Sequence, residues 1–293
     1  MFEGVFTALV TPFQNDQIDV EALERLVEFQ IAHGISGLVP CGTTGESSTL
    51  SHDEHKEVIR LCVKFVAGRV RVIAGAGSNS TSETIDLTRY AQQAGADAAL
   101  LITPYYNKPG QEGLYQHYRT VAQQVDLPLV LYNVPGRTGV DLLPVTLARL
   151  CELSNIVAVK EATGNMERAS TIRALCGASL TLLSGDDASF LPFLSVGGKG
   201  VISVSSNVAP AQMVALWRTW KNGDWTRALQ QHDELLDLNQ KLFCETNPIP
   251  IKAAVAMLGA CKQEIRLPLT WLAHVHQASL QATMDRLGLS RID

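Results

Sequence analysis

Residues 156–164 read IVAVKEATG, and the run Ile156-Val157-Ala158-Val159 leads straight into Lys160. A short apolar run rich in β-branched residues is the signature of a buried strand. An ammonium group at the end of such a strand is expensive to desolvate. The ordinary readings are a head group that snorkels to solvent or one paired with a carboxylate. Glu161 is a poor candidate for that pairing, because adjacent residues on a strand face opposite sides. Burial disfavours a charged amine, and a neutral amine is a nucleophile for carbonyls able to form a Schiff base. The other lysines lie in polar, glycine-flanked or helical stretches, and Lys160 alone extends an apolar strand.

Seven more runs resemble this one. With it, the predicted strands are 5–11, 37–41, 70–75, 98–103, 128–133, 156–161, 180–184 and 201–205. Their starts lie roughly 21 to 33 residues apart, the length of a strand, a helix and two loops. Ser51 with Glu54, and Ser80 with Glu83, fit the S-x-x-E capping box that opens a helix. Gly34, Gly68, Gly95 and Gly177 stand where helices end. Eight strand–helix units predict a closed (β/α)8 barrel (a TIM barrel) in preference to an open doubly wound sheet. The eighth unit ends near Gly223, and strandless helical periodicity follows, with segments starting at Asp224, Ile249 and Leu269. The expectation is a catalytic barrel over 1–223 and a small C-terminal helical appendage over 224–293.

Composition narrows the function classes. The 293 residues are 46% hydrophobic and carry a net charge of −5, without basic runs, which argues against nucleic-acid or anionic-membrane partners. The six cysteines form no CxxC pair and read as reduced thiols. No signal peptide and no bilayer-length apolar segment is evident, so a cytoplasmic protein is expected. Among the seven histidines, His52/His55 and His274/His276 come close together, but neither pair resembles a metal motif, so no metal is expected.

Reactive groups of a parallel barrel gather at the C-terminal ends of its strands. The second strand ends in CGTTGES with Thr43 and Thr44, the fourth in TPYYNKPG with Tyr105 and Tyr106, and the fifth in LYNVPGRTG with Tyr132 and Arg137. Schiff-base chemistry moves protons at several steps, and Tyr132 and Thr43 are hydroxyls suited to relaying them. Arg137, in a proline-glycine turn, offers a fork for a substrate carboxylate, or is simply a surface turn arginine. VIAGAGSNS (72–80) lies between a strand and a helix as a dinucleotide fingerprint does, but Ser80 replaces the third glycine and Asp97 precedes the next strand instead of ending it. A nicotinamide-dependent oxidoreductase is therefore the weaker reading.

Together GTTGES (42–47), YYNKPGQEGLYQHY (105–118), YNVPGRTG (132–139), VAVKEATGN (157–165), LSGDDA (183–188), GVISVSSN (200–207) and NPIPIKAA (247–254) closely resemble the dihydrodipicolinate synthase family. These are pyruvate-dependent class I aldolases of the superfamily that includes N-acetylneuraminate lyase. The resemblance covers nearly the whole chain. It implies that Lys160 condenses with pyruvate and that the enamine attacks L-aspartate 4-semialdehyde, with no cofactor beyond the covalent Schiff base. By resemblance Tyr132 shuttles protons, Thr43 links it to Tyr106 of a neighbouring subunit, Thr44 holds the pyruvate carboxylate, and the backbone of Gly185 and Ile202 lines the pocket. N-acetylneuraminate lyases typically lack the turn arginine and read G-S-T-G-E in the strand-two loop, so Arg137 and the paired threonines favour the synthase. An aldolase using a different aldehyde is the alternative. A lysine-inhibition site is implied at Ser48, His52, His55, Asn79, Glu83 and Tyr105, and a homotetramer built as a dimer of tight dimers is expected.

Overall fold

The structure, a computed structural model, describes residues 2–292. Eight parallel strands make up a closed barrel: β1 (Gly4–Ala8), β2 (Gly37–Val39), β3 (Arg71–Gly75), β4 (Ala98–Ile102), β5 (Leu129–Asn133), β6 (Ile156–Glu161), β7 (Thr181–Ser184) and β8 (Gly200–Ser203). All eight predicted strands are present, and β6 has the predicted bounds. β1 stops short of the expected Thr11 because the chain leaves the ladder there. The Val10 amide donates to Asn207 Oδ1 at 3.1 Å, and Thr11 Oγ1 donates to the Gly45 carbonyl at 2.7 Å. A small antiparallel hairpin, Phe13–Gln14 with Gln17–Ile18, follows and was not expected.

Two compact units emerge from the density of contacts. One holds Val72–Ile202 together with the first residues through Gly4, and the other holds Val5–Arg71 with the chain from Ser203 onward. In the first unit β4, β5, β6 and β7 pair in sequence, and the register sets Tyr132 beside Lys160 and Asn133 beside Glu161. Side chains at paired positions of a parallel ladder emerge on the same face, so Tyr132 and Lys160 share one side and Asn133 and Glu161 the other. In the second unit β1 pairs with β2 over a core that includes Phe6, Phe13, Leu23, Leu26, Leu38 and Ile59.

Helix starts follow the sequence signals with one exception. Ser51 and Glu54 form the full capping box. Ser80 accepts from the Glu83 amide, but the Glu83 carboxylate turns to the Ser78 hydroxyl and leaves the box half made. The glycines placed at helix ends all take positive φ there, a backbone that glycine adopts without strain. After the helix Pro210–Lys221, the C-terminal helices are Trp225–Lys241, capped by Asp224, then Ile249–Met257 and His274–Arg286. The last starts five residues later than the Leu269 expected from periodicity. Among the described residues no helix is long and apolar enough to cross a membrane, and no His/Cys/Asp/Glu group could hold a metal ion. All six cysteines are free.

Candidate active site

Lys160 ends β6 with only 6% of its surface exposed, and its Nζ lies 4.2 Å from the centroid of the Tyr132 ring. Among the described residues no carboxylate comes within salt-bridge distance of that nitrogen. Glu161 points the other way, as strand alternation requires. Its carboxylate accepts from Arg168 Nε at 2.9 Å, Asn133 Nδ2 at 3.1 Å and the Thr163 amide at 2.9 Å. The lysine stem is also confined from the end of β7. A Cβ on Gly185 would sit 2.5 Å from Ala162 Cβ and 3.1 Å from Lys160 Cε, so only glycine lets that backbone approach. Ile202 on β8 is buried. A desolvated, unpaired amine beside a buried phenol can add to a carbonyl with a proton donor at hand.

Arg137 lies in the short helix Pro135–Thr138 after β5 and is exposed. Thr138 fastens that turn, with its hydroxyl donating to Val140 O at 2.9 Å and accepting from Thr103 Oγ1 at 3.2 Å. After β4, Tyr106 and Lys108 adopt left-handed backbone with φ of 70° and 47°, and the Tyr106 side chain is 88% exposed. Such conformations in non-glycine residues cluster at functional loops.

Thr43 and Thr44 belong to the other compact unit, on the loop after β2. Cys41 and Glu46 bracket this loop with φ of 56° and 55°. Thr43 is half-buried, whereas Thr44 is buried and accepts from Asn247 Nδ2 at 3.0 Å. Sequence reasoning missed what holds this loop. Glu46 forms a fully buried ion pair with Lys252, and the Arg266 amide donates to its Oε2 at 3.0 Å. Lys252 Nζ also lies 4.1 Å from the Phe13 ring centroid. Burial pushes the Lys252 amine below its usual pKa, and Glu46 works against that shift. The signal for it was available, because the helix Ile249–Met257 is apolar on nearly every side and buries Ile249 through Val255, lysine included.

The residues expected to bind lysine are divided between the units. Ser48, His52 and His55 lie in the second, with His55 buried and the other two exposed. Asn79, Glu83 and Tyr105 lie in the first. There the Asn79 carbonyl accepts from Asn107 Nδ2 at 2.9 Å, and Tyr105 is 39% exposed. The VIAGAGSNS glycines have a packing role, since a Cβ on Gly77 would fall 2.3 Å from the Ile102 amide nitrogen of β4.

A closed (β/α)8 barrel with a buried, unpaired lysine at the mouth of β6 and a phenol over it defines the Schiff-base aldolases. The chain belongs to the dihydrodipicolinate synthetase family, whose profile matches residues 1–287. It is 61% identical over 289 residues to the 4-hydroxy-tetrahydrodipicolinate synthase of Magnetococcus marinus, covering 99% of each chain. The crystal structure of dihydrodipicolinate synthase from Aquifex aeolicus matches with a TM-score of 0.98 at 47% identity, covering 100% of both chains. A dihydrodipicolinate synthase from Cyanidioschyzon merolae, solved with lysine bound, matches at 0.96 and 42% identity over 98% of this chain and 99% of that one. The protein is thus a lyase of lysine and diaminopimelate biosynthesis with class I aldolase chemistry, and enzymes of this family need no cofactor beyond the pyruvate Schiff base.

Proposed function

We propose that Lys160 is the nucleophile that condenses pyruvate with L-aspartate 4-semialdehyde. The Nζ lone pair adds to the pyruvate ketone, and water leaves to give the imine. Loss of a methyl proton gives the enamine, whose carbon attacks the aldehyde. Ring closure by the substrate's amino group then displaces the lysine. Tyr132 carries the protons, with Thr43 linking it to Tyr106 of a second subunit. Thr44 and the backbone at Gly185 and Ile202 hold the pyruvate end, and Arg137 grips the semialdehyde carboxylate. The observation that carries this reading is Lys160 itself, 6% exposed, with Tyr132 as its neighbour and no carboxylate partner among the described residues.

Borohydride added with pyruvate alone should fix a covalent adduct, and peptide mapping should find it on Lys160. An adduct on any other peptide removes the assignment. Arg137→Ala should raise the KM for the semialdehyde while adduct formation with pyruvate continues; loss of the adduct would contradict this division of labour.

Inhibition by L-lysine, through Ser48, His52, His55, Asn79, Glu83 and Tyr105, is the regulatory part of the proposal, supported by the lysine-bound relative. Millimolar L-lysine that left the initial rate unchanged would remove it. A homotetramer in the cytoplasm, with the barrel over 1–223 and the appendage over 224–293, completes the reading.

A further inference from the structure

Beneath the Lys160–Tyr132 pair, on the opposite face of the same two strands, lies a network with no part in the steps above. Arg168 is its centre. It occupies the first turn of the helix Met166–Cys176, where the N-cap Asn165 accepts from its amide at 2.9 Å. The side chain is 12% exposed. Its guanidinium donates through Nε to Glu161 Oε2 at 2.9 Å, through Nη1 to Asp141 Oδ2 at 3.0 Å, and through Nη2 to the Leu142 carbonyl. Asn133 ties the same points together. Its Nδ2 donates to Asp141 Oδ1 at 3.0 Å and Glu161 Oε2 at 3.1 Å, and its Oδ1 accepts from the Leu142 amide at 2.9 Å.

The sequence positions give this network its meaning. Asn133 directly follows Tyr132, and Glu161 directly follows Lys160. Asp141 and Leu142 end the excursion that starts at Val134 and carries Arg137. The loop thus leaves β5 at Asn133 and is fastened back onto Asn133 where it ends. Gln111 adds one outer tie, donating to the Asp141 carbonyl at 2.8 Å.

Arg168 is the cation of the assembly. Asp141 and Glu161 share one amide donor, and their charges are opposed across it. Without the guanidinium they repel each other, and a buried carboxylate left unpaired is costly. The two sides of the clamp differ in stiffness. Lys160 is fixed by ladder pairing with Tyr132 on one side and Leu183 on the other. The Arg137 turn lies outside the ladder, held within itself by its own backbone and Thr138 bonds and fastened to this clamp where it ends. Loosening the clamp therefore moves the loop before it moves the strand.

We infer that Arg168 is a positioning residue for the second substrate: through Asp141 and Glu161 it sets where Arg137 stands relative to Lys160. The inference rests on Arg137 as the grip on the semialdehyde carboxylate. A misplacement near 1 Å in such a group can reduce rates by about 10²-fold.

The test uses the full-length enzyme, with urea unfolding as the check on folding. Arg168→Met should lower kcat/KM for L-aspartate 4-semialdehyde by about 10²-fold while borohydride trapping with pyruvate alone proceeds at the parent rate. Asp141→Asn, which keeps the buried Arg168–Glu161 pair, should show the same split in weaker form and serves if the methionine variant does not fold. In the Arg137→Ala background Arg168→Met should add no further loss of semialdehyde use. Equal losses in trapping and semialdehyde use, or penalties that multiply in the double variant, would overturn the inference. If Arg137→Ala alone leaves semialdehyde use unchanged, the Arg137 assignment fails first and takes this inference with it.

Discussion

The two compact units each bury a lysine, and the two lysines are nearly matched in surroundings. Lys160 and Lys252 are 6% and 0% exposed, with Nζ at 4.2 Å and 4.1 Å from an aromatic centroid. They differ in charge company. Lys252 meets the carboxylate of Glu46, whereas Lys160 has no such partner among the described residues. Burial and a ring contact therefore do not distinguish the two lysines, since both have them. An approaching carbonyl finds Nζ of Lys252 occupied by an acid and Nζ of Lys160 without one. One arrangement ties a loop down, and the other leaves an amine without an acid, as the proposed nucleophile requires.

Substitutions can break this contrast. Lys160→Ala should give the largest functional effect, with adduct formation and turnover falling below detection while the unfolding midpoint holds; residual trapping on Lys252 would collapse the distinction. Lys252→Met should act on stability, because removing one partner of a buried pair costs about 3–5 kcal/mol. Urea unfolding reads that loss, and Lys252→Met combined with Glu46→Gln should recover part of it. A full stability loss in the double variant would mean that the pair is not the source.

Gly185→Ala should cost about 1–3 kcal/mol through overpacking. It should also slow trapping, because the added methyl presses on the Lys160 stem. Unchanged trapping would show the stem free to move aside. The smallest effect is in acid. Burial lowers the His117 pKa to about 4, its Nδ1 lies 2.9 Å from Thr81 Oγ1, and its Nε2 has no partner among the described residues. The unfolded chain, with an ordinary histidine pKa near ~6.5, binds the extra proton first. Stability from the neutral ring is therefore complete above that value and declines as pH falls toward 4. His117→Gln should flatten the urea midpoint over that interval relative to the parent, and an unaltered slope would point to other groups.

Local pattern carried much of this architecture. All eight strands were legible because each is a short apolar run between turn residues, and Lys160 stood out because it interrupts that rule. The ion pairs were not legible. Lys252 and Glu46 lie 206 positions apart, and nothing near either names the other. Glu161 was correctly set aside as a partner for Lys160, yet its actual partner, Arg168, sits seven residues on across a loop and a helix cap. Periodicity also opened the last helix at Leu269, although the chain up to Ala273 is not helical. The Phe13–Ile18 hairpin is too short to show a strand period.

The loop that returns to Asn133 has a consequence for divergence within this fold. Because its two ends meet at one asparagine, the residues between them form a cassette whose length and chemistry can change without shifting either strand. On the proposed role of Arg137, exchanging Pro135 to Val140 would change which aldehyde is read, while the amine and phenol on the strands stay in place. On that proposal acceptor range and carbon–carbon bond formation are separable, and a new acceptor would need six residues rewritten instead of a barrel rebuilt.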